Sequence, residues 1–510
     1  MVGSIPDTQP SSTASKLGAR LRRELESIFS IDLRSLALFR VSLALLLFAE
    51  ICNRAVGFTA HYTDRGVLPS SVMNELMVHQ PSLLLLSGSE IYAASFFVIA
   101  GLSSIMMLVG WHTRVATIAM FIAISSIQTR NPLINHQADA LMRFLVMWGI
   151  FLPLGVCWSV DARRKRIRRD RGSVYSVASA ALLLQGMFVY LVVAVSKFQY
   201  DIWWAGDSLW AVLQVDSYAR PLGEFLLNYP DLVALLAYGS MVLEALFPIL
   251  LFLPWQRDRA RTLCVLLATL FQLNIFFVVN VGTFNPLTIL MLFPFLPAWF
   301  WDRFTKIAPP QKSLVASERM STGMRLGRAA ATSLVSVLLA YTVISNLSAL
   351  RKGEHLFPEP LASIGFALNL DQRWRMFANA GVTPQGWHVV AGKLPDDRWI
   401  DMIRGDIPPS TQRPENYSSS MINGAWRLYW SAISQDYTLP LRKPFGDYLC
   451  NDWNSNSDAD HQVDRVEVIY LQKFAHDRRV EPQIVPKRLL LQDFGPLQPE
   501  WKSPERAKWS

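Results

Sequence analysis

Charge is scarce in this chain. Asp, Glu, Lys and Arg make up 17% of its 510 residues, against about 25% in an average soluble protein. It is missing altogether from the 25 residues Gly172 to Ser196, the 21 from Ile91 to Trp111 and the 22 from Ala329 to Leu350. About 20 apolar residues cross a bilayer as a helix, so several such stretches exclude a secreted or cytosolic protein. Cysteine is scarce too. Of Cys52, Cys157, Cys264 and Cys450, three lie in or beside apolar stretches, a pattern that supports neither a disulfide framework nor a zinc site. The N-terminus, "MVGSIPDTQPSSTASKLGARLRRELES", lacks an apolar core, which excludes a cleaved signal peptide. Residues 1–30 read as a cytoplasmic leader that runs into a basic amphipathic helix. No internal repeat and no low-complexity tract is evident.

What the chain does have is apolar length. The hydropathy pattern predicts nine transmembrane helices, at roughly 34–52, 91–110, 114–130, 139–158, 176–197, 231–254, 261–281, 284–301 and 328–350. Thr262 to Trp301 holds 40 residues without a charge, about 60 Å if one helix and twice a bilayer core. "NVGTFNP" (280–286) supplies turn formers at Gly282, Asn285 and Pro286, so a tight hairpin divides this block in two. The net charge of +9 would raise the question of nucleic acid in a soluble protein. Here the basic residues gather in particular loops: seven in "DARRKRIRRDRG" (161–172) and three in "QRDRAR" (256–261). With the N-terminus in the cytoplasm, every strongly basic loop falls inside, as the positive-inside rule demands. The C-terminus then lies outside, and no nucleic-acid partner is expected.

Residues 351–510 differ in kind: polar, rich in Pro, Asp and Trp, and without a spanning run. "GWHVVAGKLPDDRWIDMI" (386–403) reads as a hairpin around a Pro-Asp-Asp turn, and "RVEVIYLQKF" (465–474) as another strand. "GAWRLYWSAIS" (424–434) reads as a helix. These predict a small extracytoplasmic α+β domain over 351–510, following a transmembrane domain over 31–350.

Ionisable groups inside a membrane are costly and face a bundle interior or a cavity. Arg40 and Glu50 lie in the first span, and Glu244 lies in the sixth. "NHQADALMR" brings Asn135, His136, Asp139 and Arg143 to the outer start of the fourth span. Asp139 and Arg143 are spaced i,i+4, acid first, and can form a structural pair. Arg40 and Glu244 can pair likewise. In "VAVSKFQYDIWWAG" (193–206), Lys197 ends the fifth span on the outer side. Alone, it reads as a snorkelling anchor. Beside His136, on the same side, it reads as a base, with the histidine exchanging or stabilising a proton.

The order of "SLALFRVSLALLLFAEICNR", "HYTDRGVLP", "VGWHTR", "FLPLGVCWSVDARR" and "FWD" resembles the horizontally transferred transmembrane domain family over roughly 31–302. That family includes the vitamin K-dependent γ-glutamyl carboxylases and bacterial membrane proteins. The tail segment "DQRWRMFANAGVTPQGWHVVAGKL" resembles the sequence that follows the domain in bacterial members. The resemblance implies that Lys197, in "KFQYDIWWAG", matches a lysine base that deprotonates reduced vitamin K. It also implies that Asn135–His136, upstream of Trp158-Ser159-Val160-Asp161, matches a catalytic Asn-His step. Asn135 and Trp203 are then expected at the substrate, and a reduced quinone is the cofactor implied. Where the family often has Phe-His, this chain has Phe271–Gln272. Its tail is much shorter than the carboxylases' outer region and has no recognisable propeptide-binding part, which speaks against carboxylation of protein glutamates. The expectation is therefore a carboxylase-like membrane protein in which Lys197 acts on a membrane quinol and a polar substrate arrives from the outside. The alternative is a non-catalytic scaffold or lipid-binding protein.

Overall fold

The computed structural model describes residues 13–76, 82–165, 172–215, 218–254, 256–304, 322–351, 357–370, 372, 374–378, 385–405, 407–413, 424–474 and 483–493. The start of the leader, the rest of the most basic loop (166–171) and most of 302–327 lie outside the described residues.

The described residues begin with α1 (Thr13–Phe29). It then turns into α2 (Leu33–Ala55), capped by Asp32, whose carboxylate accepts the Arg34 N–H at 2.8 Å. α3 (Glu90–Val109), α4 (Thr113–Arg130) and α5 (Gln137–Ile150) follow, then α6 (Val177–Phe198), α7 (Pro230–Phe252), α8 (Arg257–Val278), α9 (Phe284–Met291) and α10 (Thr322–Ala349). α2, α3, α6, α7, α8 and residues 325–349 of α10 are six helices long and apolar enough to cross a membrane. The stretches expected as the other three spans hold the helices α4, α5 and α9, which are not among those six. α4 carries Thr, Ser and Gln along its length, α5 stops at Ile150, and α9 stops before Pro294. Burial accounts for this. Eleven of the 14 residues of α5 are buried, and a helix wrapped by other helices needs neither an apolar surface nor the full bilayer length. The expected hairpin in the 40-residue block is the turn between α8 and α9, where Gly282 adopts φ +60°.

The helix ends fall into two sets. At one end, Ile31–Asp32 pair with Ser173–Val174, and Arg34 bridges to Asp302 at 2.9 Å. Asp161 there accepts the backbone N–H groups of His112 and Thr113 at 2.9 and 2.8 Å. The basic segments 161–165 and 256–261 belong to this end. At the other, Arg130 reaches Asp64 at 3.1 Å, and Ala219 bridges to Val279. The C-terminal region packs on this second end, where the ring of Trp426 lies 4.7 Å from His61 and Tyr429 donates to the Val67 carbonyl.

That region is a four-stranded antiparallel sheet with helices packed on it. Its strands are β1 (Gln385–Lys393), β2 (Trp399–Asp401), β3 (Arg465–Phe474) and β4 (Gln483–Asp493), in the order β2-β1-β3-β4. The β1–β2 hairpin closes through Leu394–Asp397, with Asp397 at φ +67°. α12 (Gly424–Ile433) and α13 (Arg442–Ser455) complete it.

One segment departs from the expected boundary at 350. α11 (Glu359–Ala367) and the chain after it run back into the bundle. Asn369 presents its carbonyl to Arg143 Nε at 3.1 Å, Gln372 Oε1 accepts from Gln185 Nε2 at 2.9 Å, and Trp374 is fully buried.

Candidate functional site

Lys197 stands on the last turn of α6 and Glu244 in the middle of α7, two helices that pack side by side. Lys197 Nζ donates to Glu244 Oε1 at 2.9 Å and lies 2.7 Å from Oε2. Oε2 touches the ammonium without the alignment of a hydrogen bond, so it keeps an unspent acceptor. Both side chains are buried. Nζ also sits 4.1 Å from the centre of the Trp203 ring, a cation–π contact that gains strength when desolvated. Trp203 is fixed in turn, its indole N–H shared between the Phe377 and Ala378 carbonyls at 3.1 Å each.

The pair lies in the wall of a cavity of about 580 Å³ formed by α6, α7 and α8. Trp203, Leu209 and Val212 close it on the second end, together with Met376 and Phe377 from the segment after α11. Its surface is mostly apolar. Besides the pair, Tyr190 and Gln272 supply polar groups, linked by a hydrogen bond of 3.3 Å. Asn285 holds Gln272 by donating to its side-chain and main-chain oxygens at 3.1 and 3.0 Å. Leu235 on α7, and Leu270 and Asn274 on α8, both line the cavity and lie exposed on the outside of the bundle. A Cβ on Gly239 would meet no atom within 4 Å. The cavity therefore opens sideways between α7 and α8.

His136 is not among the residues lining this cavity. It caps α5: Nδ1 accepts the Ala138 N–H at 3.1 Å, while the His136 N–H donates to Asp139 Oδ2 at 2.8 Å. That use of Nδ1 as acceptor puts the ring proton on Nε2. Nε2 is 3.9 Å from where a Cβ on Gly282 would stand, and Val281 and Phe284 beside that glycine do line the cavity. Asn135 sits with it, its Nδ2 donating to the Gln128 carbonyl at 2.7 Å and its Oδ1 near Arg54.

The expected ion pairs form with other partners. Asp139 does not turn to Arg143. Its carboxylate is drawn to the start of α5 by the His136 N–H and to α2 by Arg54 at 2.5 Å. Arg143 reaches Gln128 Oε1 at 2.6 Å and the Asn369 carbonyl. Arg54 also holds Glu50 at 2.8 Å and Tyr62 at 3.0 Å, making it the centre of a buried cluster. Arg40 does not meet Glu244. It lies near the first end, where its guanidinium satisfies the carbonyls of Leu154, Cys157 and Trp158 at 2.7–3.1 Å, in the loop that follows α5. Sequence reasoning missed Arg54, which reads as a loop cation, and saw Gln272 only as a missing histidine. Tyr190 carries no sequence signal at all.

A bundle with six helices able to cross a membrane and a buried charge pair facing an apolar cavity defines an integral, multi-pass membrane protein. The HTTM domain, the horizontally transferred transmembrane domain, matches residues 29–300, and the chain belongs to that family of vitamin K-dependent carboxylase-like membrane proteins. No curated protein and no solved structure matches it.

Proposed function

We propose that this protein is a proton-transfer enzyme of the membrane, in which Lys197 takes a proton from a lipid-soluble hydroxylic substrate such as a reduced quinone. The observation that carries this reading is the buried Lys197–Glu244 pair in the wall of a largely apolar cavity. Such a pair costs several kcal/mol of desolvation per ion, and apolar residues would fill the same space more cheaply. Its position at a cavity argues for use.

A reduced quinone would supply an ionisable phenolic O–H. The lining fits such a group, with apolar walls for a ring and tail, a sideways opening to lipid, and an unspent acceptor on Glu244 Oε2. The one proton shared by the pair resides on Nζ or on the Glu244 carboxylate without change in net charge. With the amine neutral and the acid protonated, Nζ takes the substrate proton: an O–H bond breaks and an N–H bond forms. The resulting ammonium then faces the resulting oxyanion. Glu244 thus stores the proton that frees Nζ to act as a base, the oxyanion balances the new ammonium, and Trp203 covers that ammonium from one side. In this reading His136 orients or protonates an intermediate from the Gly282 turn, and Asn135 holds its loop. The proposal includes nine crossings, with the N-terminus cytoplasmic and the C-terminal domain extracytoplasmic. The opposite-end placement of segments 161–165 and 256–261 and of the sheet domain supports that sidedness.

The test is oxygen consumption when the purified protein in detergent is given a reduced quinone, dissolved dioxygen being the two-electron acceptor for the deprotonated quinol. Lys197→Arg keeps the charge but does not release its proton, so turnover should vanish while membrane insertion persists. Full activity in that variant would make Lys197 an anchor.

A further inference from the structure

α11 and the chain that follows enter a region reserved for membrane helices. Residues 360–370 hold no charge, and such a run is too short to span a bilayer but of re-entrant length. Three contacts measure its depth. Gly365 packs against the hydroxyl of Tyr341, which stands eight residues before the end of α10, about 12 Å along its axis. The Asn369 carbonyl meets Arg143, six residues into α5. Gln372 meets Gln185, twelve residues before Lys197 on α6, about 18 Å further in and more than halfway along that helix. The chain then returns at once, because Arg375 holds the Ala349 carbonyl at the end of α10 at 2.8 Å. Meanwhile Leu361, Ile364 and Leu368, spaced i, i+3, i+7 and so on one helix face, are all exposed, at 48, 54 and 57%. They stand beside α10, whose own Val337 and Leu347 are exposed at 66 and 45%.

We propose that the described residues 359–370, 372 and 374–378 form a re-entrant membrane element, and that the Leu361–Ile364–Leu368 face of α11 is covered by the acyl chains of the leaflet at the second end. Lipid is the occupant because the face continues the apolar surface of α10, a helix able to cross the membrane by itself. In water, this face of three large apolar side chains on a short helix would be costly. The element links bilayer to site, since Met376 and Phe377, which wall the cavity, ride on its returning strand. This inference stands apart from the chemistry proposed for Lys197.

The test is spin labelling of the full chain in phosphatidylcholine vesicles. Cys52 is exposed and the other three cysteines are buried, so the background is Cys52→Ser. Labels are placed by Ile364→Cys, by Val337→Cys as a lipid-facing reference and by Tyr437→Cys, exposed on the sheet domain, as an aqueous reference. Relaxation by oxygen should exceed that by a soluble nickel chelate at Ile364→Cys, as at Val337→Cys, and by several-fold more than at Tyr437→Cys. Nickel-dominated relaxation overturns the proposal. So does label–label broadening that disappears when labelled protein is diluted with unlabelled protein, which would make the face a contact between copies. Leu361→Cys repeats the measurement on the same face should Ile364→Cys fail to fold.

Discussion

At the scale of single residues, the molecule turns on charges buried inside the bundle. Lys197 and Glu244 are each tolerable only because of the other. Removing one leaves a buried charge, at a cost of about 3–5 kcal/mol, whereas replacing both by apolar groups is often neutral. Lys197→Ala and Glu244→Ala should therefore each lower the unfolding midpoint in detergent strongly, and Lys197→Met with Glu244→Leu should restore it. Additive losses in the double variant would mean that the two do not act as a pair. A second buried group sets acid sensitivity. His388 on β1 stacks on Tyr470 at 4.6 Å and bonds Ser434 at 2.7 Å, and burial pushes it down to about 3. The free side chain titrates near 6.5. Between these values the unfolded chain takes a proton that the folded one refuses. The stabilisation is thus complete above about pH 6.5 and is lost as pH falls towards 3. His61, where the bundle meets Trp426, is pushed down to about 3 by burial and then by Arg54, and adds in the same direction. His388→Gln should flatten the fall in stability of the sheet domain between pH 6.5 and 4. An unchanged slope would assign the acid sensitivity elsewhere.

Among the elements, α7 and α8 form the side of the cavity that matters for access. Gly239 lies in the middle of α7, where its missing side chain leaves open space beside Leu235 and Leu270. A Cβ there meets no atom within 4 Å, so Gly239→Leu should leave stability unchanged or slightly raised, since glycine costs a helix interior about 1 kcal/mol. It should at the same time obstruct the opening. The expected outcome is a raised KM for lipid-soluble substrates with kcat little changed. An unaltered KM would direct entry to the end closed by Trp203 and Phe377.

For the whole molecule, sidedness is the decisive property. Segments 161–165 and 256–261 and the sheet domain occupy opposite ends of the bundle, and basic residues stay in the cytoplasm. A reporter active only in the cytoplasm should be silent when fused after residue 510 and active when fused at the N-terminus. The reverse result would invert the topology and put the sheet domain inside.

The sequence by itself determined the elements whose cause is local. Charge-free length made the long spans, because a helix satisfies all its backbone groups within one apolar segment. Gly282 and its neighbours divided the 40-residue block, and period-two alternation marked the β1–β2 hairpin and β3. The family was legible too, in the order of short motifs over 31–302. Site residues Lys197, Trp203 and Glu244 were each visible as polar or aromatic groups in apolar surroundings. That Lys197 and Glu244 are partners was not, because 47 residues separate them and only the packing of α6 on α7 brings them together. The same holds for Arg54, read from the sequence as a loop cation and found as the hub for Glu50, Tyr62 and Asp139. It holds for Arg40, which answers to carbonyls 114 to 118 residues later. And the chain after α11, too short to announce itself in the sequence, enters the bundle where Arg143 and Gln185 partner Asn369 and Gln372. Long-range pairing of buried polar groups depends on which helices become neighbours, and that is decided only in the folded chain.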